Sequence, residues 1–178
     1  PLQRLHLSTA YEALYEAKKA SGQPPQMASH DTGLFVGVDK TEYEIILTEL
    51  PAGGHEVTSS GLAIIAGRVS YALSLQGPCV ANNCACTSAL VAAHAALASV
   101  AHGDCSSALA SGVNLLLIPS TTEAFVRAGM LSQQGCCFTF DARANGMGRG
   151  EASSSIALQE ACVTAQSECF DALWASGA

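Results

Sequence analysis

Cys86 is the residue whose surroundings speak most clearly of chemistry. It stands in Asn83-Cys84-Ala85-Cys86-Thr87-Ser88-Ala89-Leu90, between a short strand candidate, Gly77 to Cys84, and a long Ala/Leu/Val segment, Thr87 to His102. A strand that turns sharply into a helix places the thiol at the helix N-terminus, where free N–H groups and the aligned peptide dipoles favour an anion. A thiolate, not a thiol, attacks a thioester carbonyl. The same tight elbow exposes the sulfur and aims a backbone N–H at the developing oxyanion. Small neighbours, Ala85 and Ser88, leave space for the approach. Such a thiol could attack a carbonyl as a nucleophile, although Cys86 is one of eight cysteines and, taken alone, reads more often as a core thiol.

Other residues with reactive side chains read more plainly. His94 lies two helical turns beyond Cys86 and is expected to be packed rather than catalytic. Gly146-Met147-Gly148-Arg149-Gly150 has the glycines of a phosphate loop but follows no strand of the needed kind. Asp141 and Glu151 are expected to fix loops by hydrogen bonding rather than to transfer protons. The chain has eight cysteines, enough for a disulfide scaffold in a small secreted protein. They sit in apolar segments such as Cys105-Ser106-Ser107-Ala108-Leu109, where a free thiol behaves as a small hydrophobe. Reduced thiols in an intracellular compartment, cytoplasm or plastid, are therefore expected. No metal site is expected either, because Cys84-Ala85-Cys86 and Cys136-Cys137 lack zinc-ligand spacing and no His pair answers them.

Several runs, in order, resemble the β-ketoacyl synthases of polyketide synthases. Residues 83–90 are similar to that family's nucleophile motif, Asp-Thr-Ala-Cys-Ser-Ser-Ser-Leu, and Val91-Ala92-Ala93-His94 to its continuation. Gln3-Arg4-Leu5, Gly67-Arg68-Val69-Ser70-Tyr71, Ala110-Ser111-Gly112-Val113-Asn114 and Arg127-Ala128-Gly129-Met130-Leu131-Ser132 fit the same family. So do Phe140-Asp141-Ala142-Arg143-Ala144-Asn145-Gly146 and Arg149-Gly150-Glu151. The resemblance covers about residues 1 to 158 and assigns Cys86 as the acyl-accepting nucleophile. It also implies that Phe125 lines the acyl pocket, although an aromatic on a buried helix is more often plain core. Within the motif Asn83 stands for Asp, Cys84 for Thr, and Thr87 and Ala89 for two serines; Ala152 replaces the last Gly of Arg-Gly-Glu-Gly.

The elements that must position Cys86 follow from periodicity and punctuation. Leu7, Ala10, Tyr11, Leu14 and Ala17 give an amphipathic helix over 5–19, ended by Ser21-Gly22-Gln23-Pro24-Pro25. Leu34 to Val38 reads as a short buried strand, and Pro51 to Gly54 as a loop. Leu62, Ile65, Ala66, Val69 and Leu73 form a helical stripe within 60–75. The segment 87–102 is apolar all round and is expected to be a buried helix, capped by Gly103. A strand over 105–118, interrupted by Gly112, leads to a helix with Ser120 and Glu123 as a capping box. A last strand, 153–158, precedes an amphipathic helix carrying Val163, Phe170 and Trp174. Strands without strict alternation, separated by helices, imply a mostly parallel sheet covered by helices, an α/β fold. The resemblance makes it part of a thiolase-like layered fold.

At 178 residues, 49% apolar and 13% charged, the chain suits a single packed domain and is neither disordered nor fibrous. Its net charge of -7 comes from scattered carboxylates and argues against a nucleic-acid surface. No apolar run is long enough to span a bilayer. Pro1-Leu2-Gln3-Arg4 is not expected to be a native start. Residues 1–178 are expected to form a partial ketosynthase domain lacking the first strand and the C-terminal half. The family's two histidine motifs, His-Gly-Thr-Gly-Thr and Lys-Ser-Asn-x-Gly-His, do not occur in the sequence.

Two readings follow. In the first, the parent enzyme takes an acyl group from the phosphopantetheine of an acyl carrier protein onto Cys86 and condenses it with a malonyl-type extender, while this chain alone does not condense. In the second, the chain is a non-catalytic half-ketosynthase with a structural or interaction role in a larger assembly. Neither requires a bound cofactor. Both leave apolar surface for a partner, the missing half or a larger assembly. The resemblance also implies a homodimer paired through residues near 77–84.

Overall fold

The computed structural model describes residues 1–22, 31–39, 41–48, 61–159 and 174–177. Its elements, in chain order, are α1 (Leu2–Ala20), β1 (Thr32–Val38), α2 (Glu42–Thr48), α3 (Leu62–Ala72), β2 (Cys79–Asn82), a 3-10 turn (Ala85–Thr87), α4 (Ser88–Ala101), β3 (Ser107–Asn114), α5 (Pro119–Arg127), β4 (Ala152–Gln159) and β5 (Trp174–Gly177). The five strands form one sheet in the order β2-β1-β3-β4-β5. Pairing is parallel between β2, β1 and β3, and antiparallel on both sides of β4. Four strands therefore run one way and β4 runs against them, a mostly parallel sheet as the sequence implied.

All seven residues of β1 are buried, as expected of a strand covered on both faces. Leu34, Val36 and Val38 face a cluster with Ala10, Ala13, Ile65, Val69, Leu109 and Val113, which ties α1 and α3 to one side of the sheet. Phe35 faces the other side with Ala92, Ala96, Cys105, Ala108 and Ala110, under α4. The result is a helix–sheet–helix sandwich.

α1 turns a different face inward than its leucines suggest. Its buried residues are Leu2, His6, Thr9, Ala10 and Ala13, whereas Tyr11 is 57% exposed and Leu7 and Leu14 pack only at the edge of the core. The cause lies across the sheet. Thr9 Oγ1 shares hydrogen bonds with Ser153 Oγ at 3.0 Å and Ser155 Oγ at 3.4 Å, and Ser155 in turn meets Ser111 Oγ at 2.8 Å. Small hydroxyl residues on β3 and β4 need a hydroxyl partner above them when water is excluded. His6 shares that buried face, yet neither ring nitrogen makes a well-formed hydrogen bond. Burial pushes its pKa down to about 4, and the Ile65 backbone offsets only part of that.

Four further expectations need correction. α4 is not buried all round: its buried residues are Ser88, Ala92, Ala96 and Ser99, while Leu90 is 73% exposed and Val91 is exposed too. Gly112 does not interrupt β3 but lies inside it, because α4 comes so close that a Cβ there would sit 2.7 Å from the Ala89 Cβ. α5 forms no Ser120/Glu123 capping box; Pro119 takes its first position and the carboxylate of Glu42 serves its start instead. Trp174 belongs to β5, whose backbone pairs with β4 from Ser154↔Gly177 to Ala157↔Trp174, rather than to a helix. The loop residues Gln23 to Pro25 and Pro51 to Gly54, together with Val163 and Phe170, lie outside the described residues. Gly103, at φ 76°, follows α4 as expected.

Candidate active site

The path from β2 to α4 is an elbow of five residues, and hydrogen bonds fix nearly every amide in it. Thr87 N donates to the Cys84 carbonyl at 3.2 Å, closing a turn with Ala85 and Cys86 at its centre. Ala85 has φ 51°, and Cys86 is not in the positive-φ region. Positive φ at the first central residue alone is the type II′ pattern, which normally places glycine there. An alanine in that conformation carries strain of about 1–3 kcal/mol. The surrounding structure holds it.

That hold comes from four side chains. Asn83 Oδ1 accepts the Ala85 amide at 3.0 Å while its Nδ2 donates to the Asp39 carbonyl at 2.7 Å. Ser88, buried at the first position of α4, accepts the Cys84 amide at 2.8 Å and donates to the Ala85 carbonyl at 2.6 Å. Thr87 Oγ1 donates to the Cys84 carbonyl at 2.8 Å, and Asn82 Nδ2 to the Ser88 carbonyl at 3.0 Å. By sequence Ser88 reads as a mere small neighbour and Asn83 as a mild departure. Asn83 in fact uses both ends of its amide, and a carboxylate in its place has no donor for Asp39.

Two glycines on the sheet let the elbow and helix settle. A Cβ on Gly37 would run into the Ser88 carbonyl and the Ala89 amide, and one on Gly112 into Ala89. The start of α4 rests directly on β1 and β3 through these two gaps in side-chain cover.

Cys86 sits at the centre of the turn, exposed and outside any disulfide. The amides of Ala85, Thr87 and Ser88 are engaged; that of Cys86 has no partner among the described residues. The elbow thus presents a sulfur, a free N–H beside it and the first turn of a helix just beyond. A tetrahedral oxyanion needs such a donor within hydrogen-bond reach.

The other expected residues are placed as follows. His94 is exposed on α4, about 12 Å along the helix from Cys86, so it is neither packed nor near the thiol. Phe125 is half-buried on α5, with the Arg149 guanidinium 4.8 Å from its ring centroid. Arg149 also donates to Thr122 Oγ1 at 2.6 Å and reaches Glu42 Oε1 at 3.5 Å. Glu42 Oε2 accepts the Leu117 and Ile118 amides at 2.6 and 2.9 Å. Burial raises the Glu42 pKa, but the Ile118 and Leu117 amides, with Thr121 and Arg149, outweigh it and hold the carboxyl below its ordinary range. This clasp seats α5; no described contact joins Phe125 to Cys86. Asp141 pairs with Arg143 at 2.8 Å and Glu151 accepts the Leu116 amide at 3.1 Å, both fixing loops as expected.

Of the six described cysteines only Cys105 is buried; Cys79, Cys84, Cys86, Cys136 and Cys137 are exposed, contrary to their apolar sequence context. A cleft of about 610 Å³ opens between α1, α2 and α3, lined by Leu2, Leu7, Ile65, Val69 and Leu117. Neither Cys86 nor Phe125 lines it, so it lies apart from the elbow.

The chain thus carries an exposed cysteine on a strained strand-to-helix elbow within a helix–sheet–helix sandwich. Residues 1–162 match the N-terminal domain of β-ketoacyl synthases, and the chain belongs to that family. It is 40% identical over 161 residues to 6-methylsalicylic acid synthase of Aspergillus niger, covering 89% of this chain and 9% of that protein. It is 42% identical over 159 residues to the highly reducing polyketide synthase sphB of Aspergillus fumigatus, covering 89% and 6%. Among solved structures it is similar to the ketosynthase from module 6 of the bacillaene synthase of Bacillus subtilis, at a TM-score of 0.74 and 30% identity. That match covers 90% of this chain and 27% of the other. The chain is a ketosynthase-domain piece of the polyketide-synthase kind, with the thiolase-like fold, and spans under a tenth of these curated relatives. Among the described residues no helix is long and apolar enough to cross a membrane.

Proposed function

We propose that Cys86 is the acyl acceptor of a condensing enzyme, and that residues 1–178 supply the nucleophile-bearing part of a ketosynthase domain whose first strand and second half lie elsewhere. The observation that carries this reading is the elbow itself: an exposed thiol beside an unbonded amide, held by a network that tolerates a strained alanine.

The thiolate of Cys86 attacks the carbonyl of an acyl group carried as a thioester on the phosphopantetheine of a carrier protein. The oxyanion that forms is met by the Cys86 N–H, and its collapse expels the carrier thiolate and leaves an acyl-cysteine. An extender of malonyl type, after losing carbon dioxide, then attacks that acyl carbon and takes it from the sulfur. The groups for this second half-reaction are not at the elbow, so the chain by itself does not condense. Phe125 contributes to the acyl-binding wall. β2 is an edge of the sheet, with β1 on one side and exposed Cys79 and Val80, which supports homodimer pairing near 77–84. The missing half and a carrier protein are the other partners, in a reducing intracellular compartment.

The test is acyl transfer. The chain, and a longer parent containing it, are incubated with a small acyl thioester and mapped by mass spectrometry. The acyl group is expected on the Cys86 peptide and absent in Cys86→Ala. Equal acylation of Cys86, Cys136 and Cys137 contradicts the proposal.

A further inference from the structure

Cys84 stands two residues before the proposed nucleophile, where the motif it resembles has threonine, and its thiol is exposed. Its backbone is the best-anchored part of the elbow: the amide donates to Ser88 Oγ, and the carbonyl accepts from both Thr87 N and Thr87 Oγ1. Its sulfur has no hydrogen-bond partner among the described residues. Only Ala85 separates the two cysteines, and the chain turns there. With consecutive Cα atoms about 3.8 Å apart, a bent i to i+2 pair falls near 6 Å, inside the range of about 4.4–6.8 Å that a disulfide spans. Elsewhere Cys105 is buried against Ser99, and Cys137 Sγ accepts the Gly148 amide at 3.1 Å on a separate loop.

We infer that Cys84 is a resolving thiol for Cys86, so that peroxide converts the pair into a reversible Cys84–Cys86 disulfide that masks the nucleophile. The chemistry balances with hydrogen peroxide as oxidant. The Cys86 thiolate attacks one peroxide oxygen, the O–O bond breaks, and hydroxide leaves and takes up a proton as water. Cys86 is then a sulfenic acid. The Cys84 thiolate attacks that sulfur, the S–O bond breaks, the S–S bond forms, and a second hydroxide leaves as water. Two electrons pass from the sulfurs to the peroxide. A nucleophile kept exposed for acyl transfer is open to the irreversible steps beyond sulfenic acid. A neighbouring thiol that condenses with the first oxidation product protects it from them, and a thiol such as dithiothreitol restores both groups.

The inference rests on Cys86 being the reactive thiol. The 178-residue chain is treated with hydrogen peroxide, its remaining thiols are alkylated, and the peptides are mapped. The expected product is a peptide containing both cysteines, lighter by about 2 Da and unalkylated, which dithiothreitol returns to two alkylatable thiols. Cys84→Thr and Cys84→Ser, conservative changes at an exposed position, are expected to abolish that product. In them Cys86 is expected to be trapped by dimedone or to advance to sulfinic acid. A wild-type chain in which Cys86 over-oxidises, or pairs with another cysteine, while Cys84 remains alkylatable overturns the inference. A Cys86 that accepts an acyl group yet never bonds to Cys84 sinks this inference alone. A Cys86 that neither acylates nor oxidises sinks the functional reading with it.

Discussion

On the α1/α3 side of the sheet, Leu34, Val36, Ile65, Val69 and Leu109 are fully buried, whereas on the α4 side Leu90 and Val91 point into solvent and the buried set is mostly alanine. The first side is held by area removed from water. The second is held by closeness: glycines at 37 and 112 admit the helix, and side-chain hydrogen bonds from Asn82, Asn83, Thr87 and Ser88 fix its start. A hydrophobic core tolerates small shifts, but a hydrogen-bonded elbow specifies the position of one sulfur. The stability of the chain and the geometry of its chemistry are therefore lodged on opposite faces.

This division can be broken at its strongest point. Ile65→Ala, in the α1/α3 core, is expected to lower unfolding stability by about 2–5 kcal/mol, read from the urea midpoint. The rate at which folded protein labels at Cys86 should hardly change. A loss below about 1 kcal/mol would mean that this face is not the main source of stability.

His6 sharpens the same face. Its folded pKa of about 4 lies below the ordinary 6.5, so the protonated form favours the unfolded chain. Stability contributed by neutral His6 is complete above pH 6.5 and is lost as pH falls from there through about 4. At about 1.36 kcal/mol per unit the full loss is about 3 kcal/mol. His6→Leu is expected to flatten most of this acid limb and to raise stability at neutral pH by about 1–3 kcal/mol, since two orphaned ring nitrogens disappear. An unchanged acid limb would place the titration elsewhere.

On the elbow face the expected effects are smaller in stability and larger in reactivity. Asn83→Asp keeps an acceptor for the Ala85 amide but sets a carboxylate against the Asp39 carbonyl. Stability should fall by about 1 kcal/mol, and acylation of Cys86 by several-fold. Leu90→Ser, on the open side of α4, is expected to change the stability of this chain by less than about 0.5 kcal/mol. A larger loss would show that α4 is covered in solution, as by self-association.

Much of the first face was legible in the sequence, because periodicity reports burial: β1 and the Ile65, Ala66, Val69 stripe of α3 fall where their residues indicate. The position of Cys86 was legible too, from a run of eight residues. What escaped was everything set by distant partners. The same Ala/Leu/Val composition that reads as burial on α4 leaves Leu90 exposed, since composition does not say what lies outside. The start of α5 is served by Glu42, far upstream, rather than by its own Ser120. Trp174 follows β4 into the sheet because an unpaired strand edge outweighs a helical pattern. Ser88 looked like empty space and is the hub of the elbow.

On the proposed reading the elbow, and not exposure alone, makes Cys86 the nucleophile. Exposed Cys136 and Cys137 are the internal controls. Residue-resolved alkylation kinetics on the folded chain with limiting iodoacetamide compares all three at once. Cys86 is expected to react at least about tenfold faster than either control, and to lose that lead in urea. Equal rates in the folded chain would contradict the account.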